Sequence, residues 1–153
     1  MIFIEKIDDL MPDVEIELVQ NTAIVALKHQ SVSDDDVDLT IVLTDDDQLH
    51  DLNNQWLGVD AATDVLSFPS DEVDPENGKR YLGDILISIP RADNQAKAAG
   101  HSVEAEVQLL ITHGILHLMG HDHAEAEEKT RMWAAQAEIL TQLGLCSLKI
   151  QEI

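Results

Sequence analysis

Ser102-Val-Glu-Ala-Glu-Val-Gln-Leu-Leu-Ile-Thr-His-Gly-Ile-Leu-His-Leu-Met-Gly-His-Asp-His123 is the stretch on which the fold of this chain turns. Ser102 has the hydroxyl of a helix N-cap, and the segment from Val103 to Met119 carries apolar residues on nearly every helical face. A helix of that kind is enclosed by the rest of the protein, so the pattern predicts a buried central helix. The apolar run Val107 to Met119 is about 13 residues long and contains Gln108, His113 and His117. It is too short and too polar to span the roughly 30 Å of a bilayer.

Chemistry rides on the same helix. His113 and His117 are one turn apart, with about 40° of rotation between them, so both imidazoles can reach one point in space. Gly120 can take the left-handed conformation that ends a helix and turns the chain back, which returns His123 toward the first two. His113-x3-His117-x2-Gly120-x2-His123 thus offers three neutral nitrogen ligands and leaves a fourth tetrahedral position open, the form of a catalytic rather than a structural zinc site. The competing explanation is a set of hydrogen-bonded core histidines. It accounts for a lone pair as well as a metal does, but not for the third histidine and the glycine placed to return it. His121 points away from a site that uses His123 and is expected beside it or at the surface. His29, His50 and His101 have no partners at matching spacing and are expected to be surface or capping residues.

The spacing is that of metzincin proteases, in which a glutamate after the first histidine serves as general base. Here that position is Gly114, so peptide hydrolysis by the usual route has no base. Glu106 lies two turns before His113 on the same face. It either orients that imidazole through its second nitrogen or has an ordinary solvated or capping role.

Outward from the central helix, the chain mixes strands and helices without strict alternation. Strands are predicted at Ile2 to Lys6, Val37 to Leu43, Val65 to Phe68 and Tyr81 to Ile89. A helix opens at Pro12-Asp13 with an apolar stripe of Val14, Leu18, Thr22, Val25 and Leu27. Another is capped by Thr44 and runs to about Trp56, where Gly58 ends it. A third starts at Pro90 and stops at Gly100, and a last one runs from about Glu125 to Leu143 with Met132, Ala135, Ile139 and Leu143 inward. Ser70 to Gly78 reads as a loop. The expectation is an α+β fold: a single domain over residues 1–153, with a small mixed sheet covered by about five helices.

The chain's 153 residues suit one domain, and no repeat or linker marks a second. Cys146 is the only cysteine, so any metal must sit on His, Asp or Glu. The N-terminus, MIFIEKIDDL, carries acids where a signal peptide needs a basic start, which points to a cytoplasmic protein without a membrane anchor. Thirty acidic residues against nine basic ones give a net charge of −21, a field that repels polyanions. The acids at Asp34–Asp36, Asp45–Asp47 and Glu125–Glu128 read as solvated helix starts and loops, and an acidic, lysine-poor surface also suits a salty cytoplasm.

The segment His113-Gly-Ile-Leu-His-Leu-Met-Gly-His-Asp-His123 closely resembles the signature of the YbeY endoribonucleases, bacterial rRNA maturation factors. Thr63-Asp-Val-Leu-Ser-Phe-Pro69 and Leu82-Gly-Asp-Ile-Leu-Ile-Ser88 fit as further blocks, in matching order from about Val37 to Leu143. The resemblance implies a zinc-dependent endoribonuclease that prefers single strands. It also implies trimming of ribosomal RNA precursors, notably at the small-subunit 3′ end, a part in ribosome quality control, and one Zn²⁺ held by His113, His117 and His123. Its implied partners are ribosomal RNA precursors, the small ribosomal subunit and ribosome-assembly proteins. One departure stands out. Where family members commonly carry an arginine thought to contact RNA, this chain has Leu57. Arg80, Arg91 and Lys97 are either substitutes for it or ordinary surface charges, and Asp84 either belongs to the active site or secures a turn. A metallopeptidase, and a ribosome-assembly factor with structural zinc, stand as alternatives.

Overall fold

In the computed structural model, which describes residues 1–61 and 63–148, nine regular elements follow one another. They are β1 (Ile2–Lys6), α1 (Ile16–His29), β2 (Val37–Thr44), α2 (Asp46–Leu57), β3 (Val65–Pro69), β4 (Arg80–Ser88), α3 (Ile89–Ala99), α4 (Val103–Leu118) and α5 (Ala126–Gln142). The strands form one mixed sheet in the order β1-β2-β4-β3, parallel except for the antiparallel β3–β4 pair, with β3 at an edge. The α+β architecture with five helices is the one expected. Among the described residues no helix is long and apolar enough to cross a membrane.

Strand alternation sorts the two faces of the sheet. Leu39, Ile41 and Leu43 of β2 and Ile85 and Ile87 of β4 are fully buried and meet Leu110, Ile111 and Ile115 of α4. Helices α1, α3 and α5 pack around α4, so that 12 of its 16 residues are buried. Only α2 lies on the opposite face, where Leu49 meets Leu66 and Leu86 in a smaller cluster. The polar side chain of Asp84 also belongs to that opposite face. It pairs with Thr40 in register and accepts the Tyr81 hydroxyl, away from the histidines. Burial and the neighbouring carboxylate push the Tyr81 phenol up to about 12.

Two helix starts differ from expectation. Asp45, not Thr44, caps α2: its backbone is extended and its carboxylate accepts the Gln48 N–H at 2.9 Å. Thr44 instead ends β2, fully buried, with its hydroxyl on the Gln48 side chain. Helix α1 begins at Ile16 rather than at Pro12-Asp13, because Val14 is used as a core plug ahead of it and Asp13 pairs with Lys6. Its buried stripe is accordingly Val19, Thr22, Ala23, Ala26 and Leu27.

Gly83 shows how tightly the β3–β4 pair is drawn. Its φ is +137°, and a Cβ there would lie 2.2 Å from the Phe68 carbonyl oxygen, so no other residue fits.

Candidate metal centre

Helix α4 delivers two of the three histidines and its C-terminus delivers the third. Ser102 caps the helix by accepting the Ala105 N–H at 3.1 Å. At the other end the Gly120 N–H donates to the His117 carbonyl at 3.0 Å and the His121 N–H to the Leu116 carbonyl at 2.9 Å. With Gly120 at φ +95°, this is the paired-bond Schellman ending that reverses the chain. His123 therefore comes back over the helix. The Nδ1 or Nε2 atoms of His113, His117 and His123 lie within 4.8 Å of one another, and their ring centroids are 4.6, 5.6 and 5.3 Å apart.

The hydrogen bonds around the rings decide which nitrogens face inward. His117 Nδ1 lies 3.0 Å from the His121 carbonyl oxygen, which can only accept, so Nδ1 carries the proton. His113 Nδ1 lies 3.2 Å from Gln136 Oε1 and is protonated for the same reason. Both Nε2 atoms of the neutral rings are then bare, and they face each other at 3.0 Å. Two lone pairs at that distance repel unless a cation lies between them. A proton is a poor candidate: burial and the neighbouring imidazoles lower the His113 pKa to about 4 and lower that of His117 as well. A metal ion suits the arrangement, since tetrahedral zinc with bonds of 2.0–2.1 Å sets its nitrogens about 3.3 Å apart. Neutral, preoriented imidazoles are the state such an ion requires.

Two contributors come from α5 and were missed in the sequence. Trp133 meets His113 and His123 edge-on, at centroid distances of 6.0 and 5.7 Å. Gln136, 1% exposed, supplies the acceptor for His113. The available signal was an amide on the apolar stripe, four residues after Met132. Glu106 does not orient His113; it is buried two turns away, where it pairs with His101 at 2.9 Å. His101 and His29 are consequently half-buried partners of Glu106 and Glu138 rather than surface residues, whereas the more exposed His50 pairs with Asp60. His121 does lie beside the centre, contributing its backbone carbonyl to His117 while its ring reaches Gln30.

A cleft of about 520 Å³ opens over the histidines. Its opposite wall is Leu57 at the end of α2 together with Val65, Leu66, Ser67 and Pro69 of the edge strand β3. Leu57 is thus at the site and 56% exposed, but brings no charge. The cations weighed as substitutes are held elsewhere by acids: Arg91 in a two-pronged pair with Asp46 at 2.8 and 2.9 Å, Arg80 with Asp71 and Lys97 with Asp93. Arg131 makes no ion pair among the described residues. It lines a second hollow that shares Gly120, His121 and Asp122 with the cleft.

Known proteins match this chain over most of its length. The family model described as Endoribonuclease YbeY matches residues 4–144. An endoribonuclease YbeY from Halalkalibacterium halodurans is 37% identical over 152 residues, covering 93% of this chain and 96% of that one. Its counterpart from Salinispora tropica is 40% identical, with 90% and 93% covered. The solution structure of a Thermotoga maritima protein superimposes with a TM-score of 0.59 at 25% identity, covering 94% of this chain and 92% of the other. A histidine centre at the end of a buried helix, in a chain that matches these relatives almost from end to end, makes this protein a member of the endoribonuclease YbeY family.

Proposed function

We propose that this protein is a zinc-dependent endoribonuclease, preferring single strands, that matures ribosomal RNA precursors. Small-subunit 3′ ends, ribosome quality control, a cytoplasmic location and ribosome-assembly proteins as partners belong to the same proposal, with residues 1–153 acting as one hydrolase domain. The observation that carries it is the pair of bare Nε2 atoms on His113 and His117, facing each other at 3.0 Å beneath an open cleft in a chain of this family.

His113, His117 and His123 would hold the metal. A zinc ion there supplies Lewis acidity, neutralising charge on a scissile phosphate or acidifying a nearby water. Gln136 and the His121 carbonyl fix the two helical imidazoles. Trp133 walls the centre on the α5 side and limits solvent there. The cleft between the histidines and Leu57, Val65, Leu66, Ser67 and Pro69 receives the strand. Because Leu57 is neutral and the chain carries −21, binding rests on few phosphate contacts and is weak even at low salt.

One observation favours a metallopeptidase: β3 is an edge strand beside the histidine helix, where an extended peptide could add to the sheet. Gly114 weighs against it, since the position that should hold the base packs on Ile85. Single-stranded RNA and casein, each incubated with zinc-loaded protein and with His117→Ala, separate the two. Cleavage of RNA alone, lost in the variant, is expected; cleavage of casein alone would overturn the proposal.

A further inference from the structure

We infer that Gln136 is a positioning residue for the metal centre: it fixes the His113 tautomer from α5 while adding no negative charge of its own against the ion. The inference rests on the metal-binding proposal above. It concerns an amide side chain that the histidine spacing does not reveal.

Gln136 is 1% exposed and His113 is 2% exposed, so their contact is shielded from water. The Gln136 carbonyl oxygen lies 3.2 Å from His113 Nδ1, where it accepts the ring proton and leaves Nε2 bare toward the other histidines. The amide nitrogen of the same side chain is buried and has no hydrogen-bond partner among the described residues. A buried unpaired N–H group costs on the order of 1–3 kcal/mol, so packing alone favours an apolar residue here. Ile139 and Met132, its neighbours along the helix stripe, show that α5 otherwise buries apolar side chains against this core. A polar group kept at that cost has its purpose at the oxygen end, and that end points at His113.

The neutrality of the amide has its own effect. A carboxylate at this distance would hold the same tautomer and make the imidazole a stronger donor to the metal, drawing down its charge. An amide orients without that effect. Three neutral imidazoles backed by an amide and a backbone carbonyl leave a dication uncompensated by its ligands and by these two acceptors. Such a centre attracts a phosphodiester within a protein that is otherwise strongly anionic.

Zinc affinity, read by competition with a chromophoric chelator, tests this on the full chain. Gln136→Met keeps the volume but removes the acceptor, and Gln136→Glu keeps an acceptor in place. The expected result is a 10- to 100-fold loss of affinity in Gln136→Met with Gln136→Glu equal to wild type or tighter. Unchanged affinity in Gln136→Met, or equal losses in both variants, would overturn the inference. Wild type alone gives a second test that does not depend on either variant folding. In its zinc-loaded form, nitrogen-resolved NMR should show His113 with its proton on Nδ1 and the metal on Nε2, and the reverse assignment would overturn it. If wild type binds no zinc, the metal proposal itself fails, an outcome distinct from either of these.

Discussion

A methyl group added at Gly114 would lie 2.9 Å from Cγ2 of Ile85, nearer than carbon atoms approach without something giving way. Helix α4 therefore sits on β4 at a distance set by this glycine, and His113 is delivered to the cleft at the depth that distance defines. The same fact explains the missing protease base: a side chain at 114 would face the sheet rather than the histidines. Gly114→Ala gains up to about 1 kcal/mol of helix propensity but meets a fully packed neighbour, and overpacking costs about 1–3 kcal/mol. We predict a net loss of stability in urea unfolding, and a gain would show that the contact yields freely. His113 carries the clearest pH dependence. Burial lowers its pKa to about 4, below the ordinary 6.5, so between those values the unfolded chain takes up a proton that the folded chain refuses. Its contribution makes the metal-free protein less stable as pH falls, by about 2 kcal/mol from pH 7 to pH 5. His113→Gln should lack that increment in parallel urea titrations; an identical pH dependence in the two proteins would contradict the assignment.

At the scale of elements, α4 and its reversal were the most legible parts of the sequence, because their signals are local. Ser102, the all-round apolar pattern and Gly120 each act within a few residues of where they stand. What was not legible depends on packing between distant segments. Thr44 and Asp45 can both cap a helix, and burial of Thr44 at the end of β2 decided for Asp45. Glu106 has the right helical phase to reach His113, but the partner it finds is His101. The group that does reach His113 arrives from α5, 23 residues later, and only the docking of α5 on α4 brings it there. The reversal itself is open to test. Gly120 at φ +95° has open space where a Cβ would go, so Gly120→Ala is strained in backbone rather than crowded. We expect it to cost about 1 kcal/mol in thermal unfolding and, by shifting His123, to weaken zinc binding at least tenfold. A stability loss without any change in zinc affinity would mean that His123 does not depend on this turn.

For the molecule as a whole, charge and site pull in opposite directions. A net charge of −21 repels RNA at a distance, while a divalent ion held by His113, His117 and His123 would attract it at contact. Arg131 lines a hollow that shares walls with the cleft, whereas Arg80, Arg91 and Lys97 are engaged by acids. Few released counterions imply a shallow dependence of RNA affinity on salt. Leu57→Arg should tighten binding of single-stranded RNA and steepen the slope of log affinity against log salt by about one. An unchanged slope would mean that RNA does not pass Leu57. The overall architecture was predicted from sequence because alternation in β2 and enclosure of α4 already imply a sheet with helices packed on it. The cleft was not, because it forms where α2, β3 and the turn after α4 converge.

The most direct test of the metal centre is elemental analysis of protein purified without added metal, repeated after incubation with zinc and desalting. About one equivalent of a transition metal per chain is predicted, falling close to zero in His117→Ala. Less than half an equivalent in wild type under both conditions would contradict the account, whatever the protein's effect on RNA.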